Sequence, residues 1–342
     1  MPLPRSGRRT QGPRRAARLR GVEETLVGRS GLRVSRLGLG TLTWGRDTDE
    51  HEAADQLKQF ADAGGTLVDT AASYGEGAAE ELLGSLVGAL VPRSELVLCT
   101  KAGMSRRGGV RRLDTSRRAL LADLDESLQR LGSDHVDLWL VHAWSDEAPL
   151  EETLSALQQA VASGRARYVG FSNYAGWQTA RAATLLQQAG VPAVATEVEY
   201  SLVQRGVERE VVPAAQALGL GVLAWSPLGR GALTGKYRGG TPADSRGASP
   251  HLSAFVGQYL DAGSRRVVDA VVTAADGLGC SPVEVALAWA RDRPGVASVL
   301  VGARTAAQLR ASLASEDVAL PAQITAVLDE VSAPAVAYPE RF

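Results

Sequence analysis

The chain contains only two cysteines, Cys99 and Cys280, in 342 residues. That is too few for a disulfide framework. Each lies in an apolar stretch that suits a small buried side chain, and both fit a reducing, cytoplasmic setting. No apolar run approaches the roughly 18 residues a membrane-spanning helix needs, and no secretory signal core opens the chain. The protein is therefore expected to be neither membrane-embedded nor exported. Net charge is also nearly absent: 37 basic and 38 acidic residues leave a formal charge of -1, so no general attraction to nucleic acid or membrane is expected. The four histidines, His51, His135, His142 and His251, are scattered. That argues against a hydrolase built on clustered metal ligands, and no metal is expected. The phosphate fingerprint G-x-G-x-x-G is missing too, because Leu37-Gly38-Leu39-Gly40 runs into Thr41-Leu42-Thr43-Trp44-Gly45. A doubly wound dinucleotide fold normally carries it after its first strand.

Charge does concentrate at one end. Residues 1–21 carry seven arginines and no acid. This composition is expected to reflect a disordered basic tail or a start codon assigned too far upstream, with nucleic-acid-arm or transit-peptide readings weaker. The folded domain is expected over residues 22–342.

From Thr25 a small hairpin is expected, with residues 26–27 and 33–35 flanking a Gly28-Arg29-Ser30-Gly31 turn. A rhythm of short apolar runs and amphipathic stretches follows. The strand-helix units are 36–40 with 50–63, 66–69 with 78–90, 96–100 with 115–131, and 136–141 with 150–162. Two more are 166–171 with 177–188 and 194–198 with 207–218. A seventh strand, 221–225, leads into a long connection through residue 262 and helices at 265–278 and 282–291. The eighth, 297–301, precedes helices at 305–315 and 323–331. Eight alternating units predict an α/β fold closed as a TIM (β/α)8 barrel, with extra helices after strand seven and at the C-terminus.

Residues at the carboxyl ends of barrel strands converge on one face. Four polar residues sit there: Asp69 after the second strand, Tyr74 five residues on, Lys101 after the third and His142 after the fourth. Singly, each has an ordinary structural role available, as a cap, a solvated cation or a core histidine. Together they supply what carbonyl reduction needs. A tyrosine can protonate the developing alkoxide if a neighbouring cation eases loss of its proton, and Lys101 offers that cation. Asp69 would keep the lysine charged and fixed, and His142 could hold the carbonyl oxygen.

With these residues in view, the chain from about residue 25 to 334 resembles the aldo-keto reductase family. Residues 28–41 are similar to its barrel-plugging N-terminal β-hairpin and first strand. Asp69-Thr70-Ala71-Ala72-Ser73-Tyr74-Gly75 is similar to its Asp-Thr-Ala-x-x-Tyr-Gly element, and Thr100-Lys101 and Leu140-Val141-His142 complete its tetrad. The resemblance implies an oxidoreductase reducing a small-molecule aldehyde or ketone, with Tyr74 as general acid.

It also implies a nicotinamide cofactor, NADPH rather than NADH. Gly170-Phe171-Ser172-Asn173-Tyr174 resembles the motif whose hydroxyl and carboxamide hold the nicotinamide amide. Trp225 would stack on that ring, with Ser226, Pro227, Leu228, Gly229 and Gly231 along the pyrophosphate and Lys236 adding charge. Gly302 and Arg304 open the last barrel helix, where free amides and a guanidinium suit an adenosine 2′-phosphate. Gln308 resembles an adenine-side glutamine, and Thr41 joins the cofactor set. Two positions depart from the family. Glu197 stands where a glutamine commonly binds the carboxamide, and Ser312 where an asparagine contacts adenine. Trp44 and Trp144 are expected to wall an apolar substrate pocket. The competing reading is a nicotinamide-binding regulatory module of the kind associated with channels. The substrate's name and the oligomeric state are not legible in the sequence.

Overall fold

The computed structural model describes residues 21–107, 110–243, 245–249 and 253–335. The basic tail read in the first 21 residues falls, apart from Gly21, outside them.

Strands β1 (Glu24–Leu26) and β2 (Arg33–Ser35) pair as an antiparallel hairpin. The barrel follows, beginning with β3 (Leu37–Gly40), β4 (Leu67–Asp69) and β5 (Val97–Ala102). A second hairpin, β6 (Met104–Arg107) with β7 (Val110–Leu113), intervenes. The barrel then continues with β8 (Val136–Val141), β9 (Ala166–Ser172), β10 (Ala195–Glu199), β11 (Gly221–Trp225) and β12 (Val296–Val301). The eight barrel strands are parallel and neighbour one another in chain order, and β12 pairs with β3 to close the ring. This is the TIM barrel the alternating units predicted.

Side chains alternate across each strand, so every second residue enters the barrel. Leu67, Cys99, Leu138, Leu140, Ala195 and Leu223 pack inside, and the intervening Val68, Leu98, Trp139 and Phe171 pack outward against the helices. Continuing the same alternation by two residues carries the inner row to Asp69, Lys101, His142, Glu197 and Trp225. The polar layer at the mouth is the top of the apolar column.

The outer ring is formed by α1 (Glu50–Asp62), α2 (Ala78–Leu86), α3 (Arg117–Leu131), α4 (Leu150–Ala162), α5 (Gly176–Gln188) and α6 (Val211–Leu218). After β11 come α7 (Ser253–Gly257), α8 (Ala262–Leu278) and α9 (Pro282–Arg291), and after β12 come α10 (Ala306–Leu313) and α11 (Ala322–Val331). Local chemistry sets several starts. Asp49, Ser116, Asp261 and Thr305 accept first-turn amides, and Ser281 forms a capping box with Glu284 behind Pro282. Among the described residues no single helix is long and apolar enough to cross a membrane; α8 and α9 pass that test only together, and they bend by 103°.

Three expectations shift. The helix read from residue 207 begins at Val211, because a start at 207 would bury Pro213 in the helix interior, whereas Val211 leaves it in the first turn. The helix read to residue 90 ends at Leu86, where Val87 turns extended and bridges to Val91. The β6–β7 hairpin falls in the span left unassigned between residues 100 and 115. Its arginine-rich strands have no apolar alternation to betray them.

The β1–β2 hairpin seals the N-terminal end of the barrel. Val27, Leu32 and Val34 join the inner apolar column. The Arg29 amide donates to Gly219 O at 2.8 Å and its guanidinium to Ala217 O at 2.7 Å. Gly28 makes this approach possible: it has φ 58°, and a Cβ there would lie 2.2 Å from Gly219 O. Gly28→Ala is therefore expected to destabilise the fold by about 3 kcal/mol, near the top of the usual range for single substitutions. Equilibrium urea unfolding reads this, and an unchanged midpoint would show that the hairpin is not clamped as described.

Candidate active site

Lys101, at the end of β5, is fully buried. An ammonium in that position needs compensation from every side. It donates to Asp69 Oδ1 at 2.5 Å and to Thr70 O at 3.0 Å, and Glu197 Oε2 lies 3.2 Å away as a charge contact. Two buried carboxylates thus face one ammonium. The Asp69 charge, with that of Glu197 when ionised, outweighs the desolvation that would neutralise the amine, and Lys101 is held well above the usual lysine range.

Tyr74 stands in the turn that follows β4, where Gly75 takes φ 58° and Gly77 φ 101°. Its ring is half-buried, with the Lys101 Nζ 5.3 Å from the centroid. Burial pushes the phenol above its ordinary value, opposed by the Lys101 charge and reinforced by Asp69 and Glu197. The hydroxyl therefore keeps its proton at neutral pH. The His142 ring meets Tyr74 edge-on, with centroids 6.0 Å apart. Burial, with Lys101 and Arg111 adding positive charge, holds His142 well below the ordinary imidazole value. It is neutral at neutral pH and can donate one N–H. Its Nδ1 lies 3.5 Å from Ser73 Oγ, leaving Nε2 for another partner. The four residues picked out in the sequence come together here.

The side expected to hold a nicotinamide adjoins them. Ser172 is the β9 neighbour of Glu197 in strand register. Asn173 takes a left-handed backbone (φ 58°), a conformation asparagine tolerates. Its Nδ2 donates to His142 O at 3.0 Å and Ser172 Oγ at 2.9 Å, and its Oδ1 accepts from Trp225 Nε1 at 3.1 Å. Asn173 therefore ties the ends of β8, β9 and β11 together. Glu197 Oε2, buried and close to Lys101, receives no aligned hydrogen bond. An acceptor left unsatisfied in a buried site is what a ligand N–H would complete, so the residues present fit a carboxamide.

The loop after β11 is wound tightly. Ser226 and Arg230 both have positive φ, and the Gly229 and Gly231 amides donate within the loop, to Ser226 O and Leu228 O. The expected pyrophosphate cradle of Ser226, Pro227, Leu228, Gly229 and Gly231 is corrected to that extent: two of its amides are already engaged. Lys236 is exposed and near Gly231, with Nζ 5.2 Å from the Tyr237 ring centroid.

Other expected contacts also change. Trp44 does not wall a pocket. Its ring is fully buried and donates to Gln56 Oε1 of α1 at 3.1 Å. Thr41 is buried, its hydroxyl donating to Asp69 O at 3.0 Å, so it braces the end of β4. Ser312 is buried with its hydroxyl on Gln308 O, a helix-interior bond that short side chains make readily. At α10 the amides beside Gly302 are partly taken: Arg304 N donates to the Gln308 side chain and Ala306 N to Glu52 Oε2. A carboxylate already sits where an anion was expected.

Trp144 is half-buried and packs edge-on against Tyr174 and Trp177, at 5.2 and 5.3 Å between centroids. Tyr174 and Trp177 were missed by sequence reasoning, although they stand one and four residues after the Ser172-Asn173 pair that was singled out. Arg230 was also missed. Its guanidinium pairs with both Glu199 oxygens at 2.8 and 2.5 Å, donates to Phe255 O and lies 3.6 Å from the Phe255 ring centroid. It pins the long connection after β11 to the barrel mouth.

Comparison with known proteins agrees with this geometry. A sequence model of the Aldo/keto reductase family matches residues 36–333. The chain is 34% identical over 328 residues to the uncharacterized oxidoreductase YrpG of Bacillus subtilis, covering 91% of this chain and 96% of that one. It is 35% identical over 320 residues to a probable voltage-gated potassium channel subunit beta of Oryza sativa, with coverages of 92% and 97%. It is 36% identical over 290 residues to an L-glyceraldehyde 3-phosphate reductase of Escherichia coli, with coverages of 82% and 84%. The chain belongs to the aldo/keto reductase family, and its class is oxidoreductase.

The crowded carboxylates have a measurable consequence. Burial and the neighbouring Asp69 charge push Glu197 up to about 8 despite Lys101. Unfolding restores an ordinary carboxyl, so between about pH 4.5 and 8 the folded state holds a proton the unfolded state releases, and stability falls as pH rises through that window. Glu197→Gln removes this penalty. The variant's melting temperature is expected to exceed the wild type's by a margin that widens from pH 5 to pH 8. A constant margin would show that Glu197 titrates normally.

Proposed function

We propose that the protein is an NADPH-dependent reductase of small aldehydes or ketones, with Tyr74 as general acid. The observation that carries this reading is the buried ammonium of Lys101, locked to Asp69 at 2.5 Å and set against Tyr74. Positive charge beside a phenol favours the phenolate and lets the hydroxyl give up its proton as negative charge grows on a carbonyl oxygen. Neutral His142 holds that oxygen by an N–H donated from the other side and fixes which face is attacked. Asp69 keeps Lys101 charged and immobile, and Thr41 keeps the Asp69 backbone in place. Bound NADPH supplies the hydride. Ser172, Asn173 and Glu197 would hold its carboxamide, Trp225 its ring face, Lys236 its pyrophosphate, and Arg304 with Gln308 its adenosine end.

The aromatic group of Trp144, Tyr174 and Trp177 gives one side of the mouth an apolar wall suited to the body of a substrate. The L-glyceraldehyde 3-phosphate reductase relative supports a small aldehyde as the substrate class. Free Cys99 and Cys280 fit action in a reducing cytoplasm. The relative named as a channel subunit supports the second reading, a nicotinamide-binding regulatory module. Turnover decides between them.

Consumption of reduced cofactor against a panel of aldehydes and ketones tests the proposal. Tyr74→Phe and Lys101→Met are each expected to lower turnover by about 10²- to 10⁴-fold while cofactor still binds. Tight cofactor binding by wild type with no turnover on any carbonyl would favour the regulatory reading. Arg304→Ala is expected to weaken NADPH about tenfold, the value of one hydrogen bond to a charged group, and to leave NADH unaffected. Equal losses for both cofactors, measured by fluorescence titration, would remove Arg304 from the 2′-phosphate site.

A further inference from the structure

The catalytic tetrad accounts for one buried carboxylate beside Lys101; the structure holds two. Asp69 takes the short, aligned hydrogen bond from the ammonium. Glu197 has the 3.2 Å charge contact and the Asp69 carboxylate beside it, and its Oε2 receives no aligned donor. One ammonium compensates one carboxylate. A second ionised carboxylate at 2% exposure would be an uncompensated buried charge, which is resolved by binding a proton.

The ionisable groups facing Glu197 come from two barrel strands and a turn. Asp69 lies on β4, Cys99 and Lys101 on β5, and Tyr74 in the turn after β4. Asp69, Cys99 and Glu197 bring their polar atoms within 4.8 Å of one another. The in-register neighbours on the flanking strands, Ser172 on β9 and Leu223 on β11, carry no charge. Cys99 contributes none either, since burial and the Asp69 charge push its thiol well up. The balance at Glu197 is therefore set by Asp69 and Lys101 alone until another charge arrives.

Carbonyl reduction makes such a charge. The nicotinamide ring is neutral when reduced and cationic when oxidised, and the proposed function places it beside Ser172 and Asn173. Resting on that reading, we propose that Glu197 senses the redox state of the cofactor, holding a proton while the nicotinamide is reduced and releasing it to solvent when the ring is oxidised. Glutamine cannot make this change. The pKa of Glu197, raised to about 8 without a cofactor, puts the carboxyl within reach of one added positive charge at neutral pH. The proton also serves the acid. Ionised Glu197 is among the charges that push Tyr74 upward, so a protonated Glu197 leaves Tyr74 a readier donor in the complex that reduces a carbonyl. Loss of that proton then favours retention of the oxidised cofactor.

The test compares NADP+ and NADPH binding to the full chain by titration calorimetry from pH 6 to pH 8, in buffers of differing ionisation enthalpy. The 2′-phosphate is common to both cofactors and cancels in the ratio of their dissociation constants. Wild type is expected to release close to one proton on binding NADP+ at pH 7 and none on binding NADPH, and the Kd ratio should move toward NADP+ by up to about tenfold per pH unit. Glu197→Gln is expected to abolish both effects while still binding the two cofactors. A flat ratio in wild type, which needs no variant to be measured, overturns the inference and leaves the reductase reading standing. A sloping ratio that persists in Glu197→Gln assigns the proton to another group and overturns it as well. If neither cofactor binds, the nicotinamide reading itself falls.

Discussion

A single positive charge buried in the mouth of the barrel organises this protein. Lys101 has no exposure to water, and an uncompensated ammonium there would cost several kcal/mol. Its environment is built to meet that cost. Asp69 is aimed at it from β4, Thr70 turns a carbonyl toward it, and Glu197 approaches from β10. Holding those groups requires three strand ends at fixed heights, and hence the closed barrel beneath them. The β1–β2 hairpin belongs to the same requirement, because it completes the apolar column on which the polar layer rests.

The same charge orders the chemistry. It opposes the burial that raises Tyr74, helps keep His142 neutral and lies against both buried carboxylates. Burial raises Tyr74 and Glu197 and lowers His142, and the Lys101 charge adjusts each of them. Glu197 is the excess. It makes the site more acidic in composition than one lysine can neutralise, so the cluster has a proton to hold or release.

Strained backbone appears where the site needs it. Asn173, Ser226 and Arg230 adopt left-handed conformations at the mouth, each costing on the order of 1 kcal/mol or more. Asn173 recovers this through three hydrogen bonds that join β8, β9 and β11. Arg230 does so through its paired bonds to Glu199 and its contact with Phe255. These residues turn independent strand ends into one rigid rim.

Much of this was legible in the sequence, because period-two alternation and strand-helix spacing are local properties. Eight apolar runs, each followed by an amphipathic stretch, determined the barrel, and polar residues ending those runs marked Asp69, Lys101 and His142, whereas Glu197 stood out only as a departure from the family's glutamine. What the sequence could not determine were contacts made across the ring. Trp44 read as a pocket wall and Thr41 as a cofactor contact until the structure turned one onto Gln56 and the other onto the Asp69 carbonyl. Ser312 read as a ligand contact until its hydroxyl was found on its own helix. The roles of Arg230, Tyr174 and Trp177 depend on loops whose paths no periodicity encodes, and the β6–β7 hairpin has no apolar face to announce it. The sequence determined which side chains enter the barrel; only the tertiary structure decided which of them meet, because the charge balance around Lys101 depends on distances of a few ångströms between strands far apart in the chain.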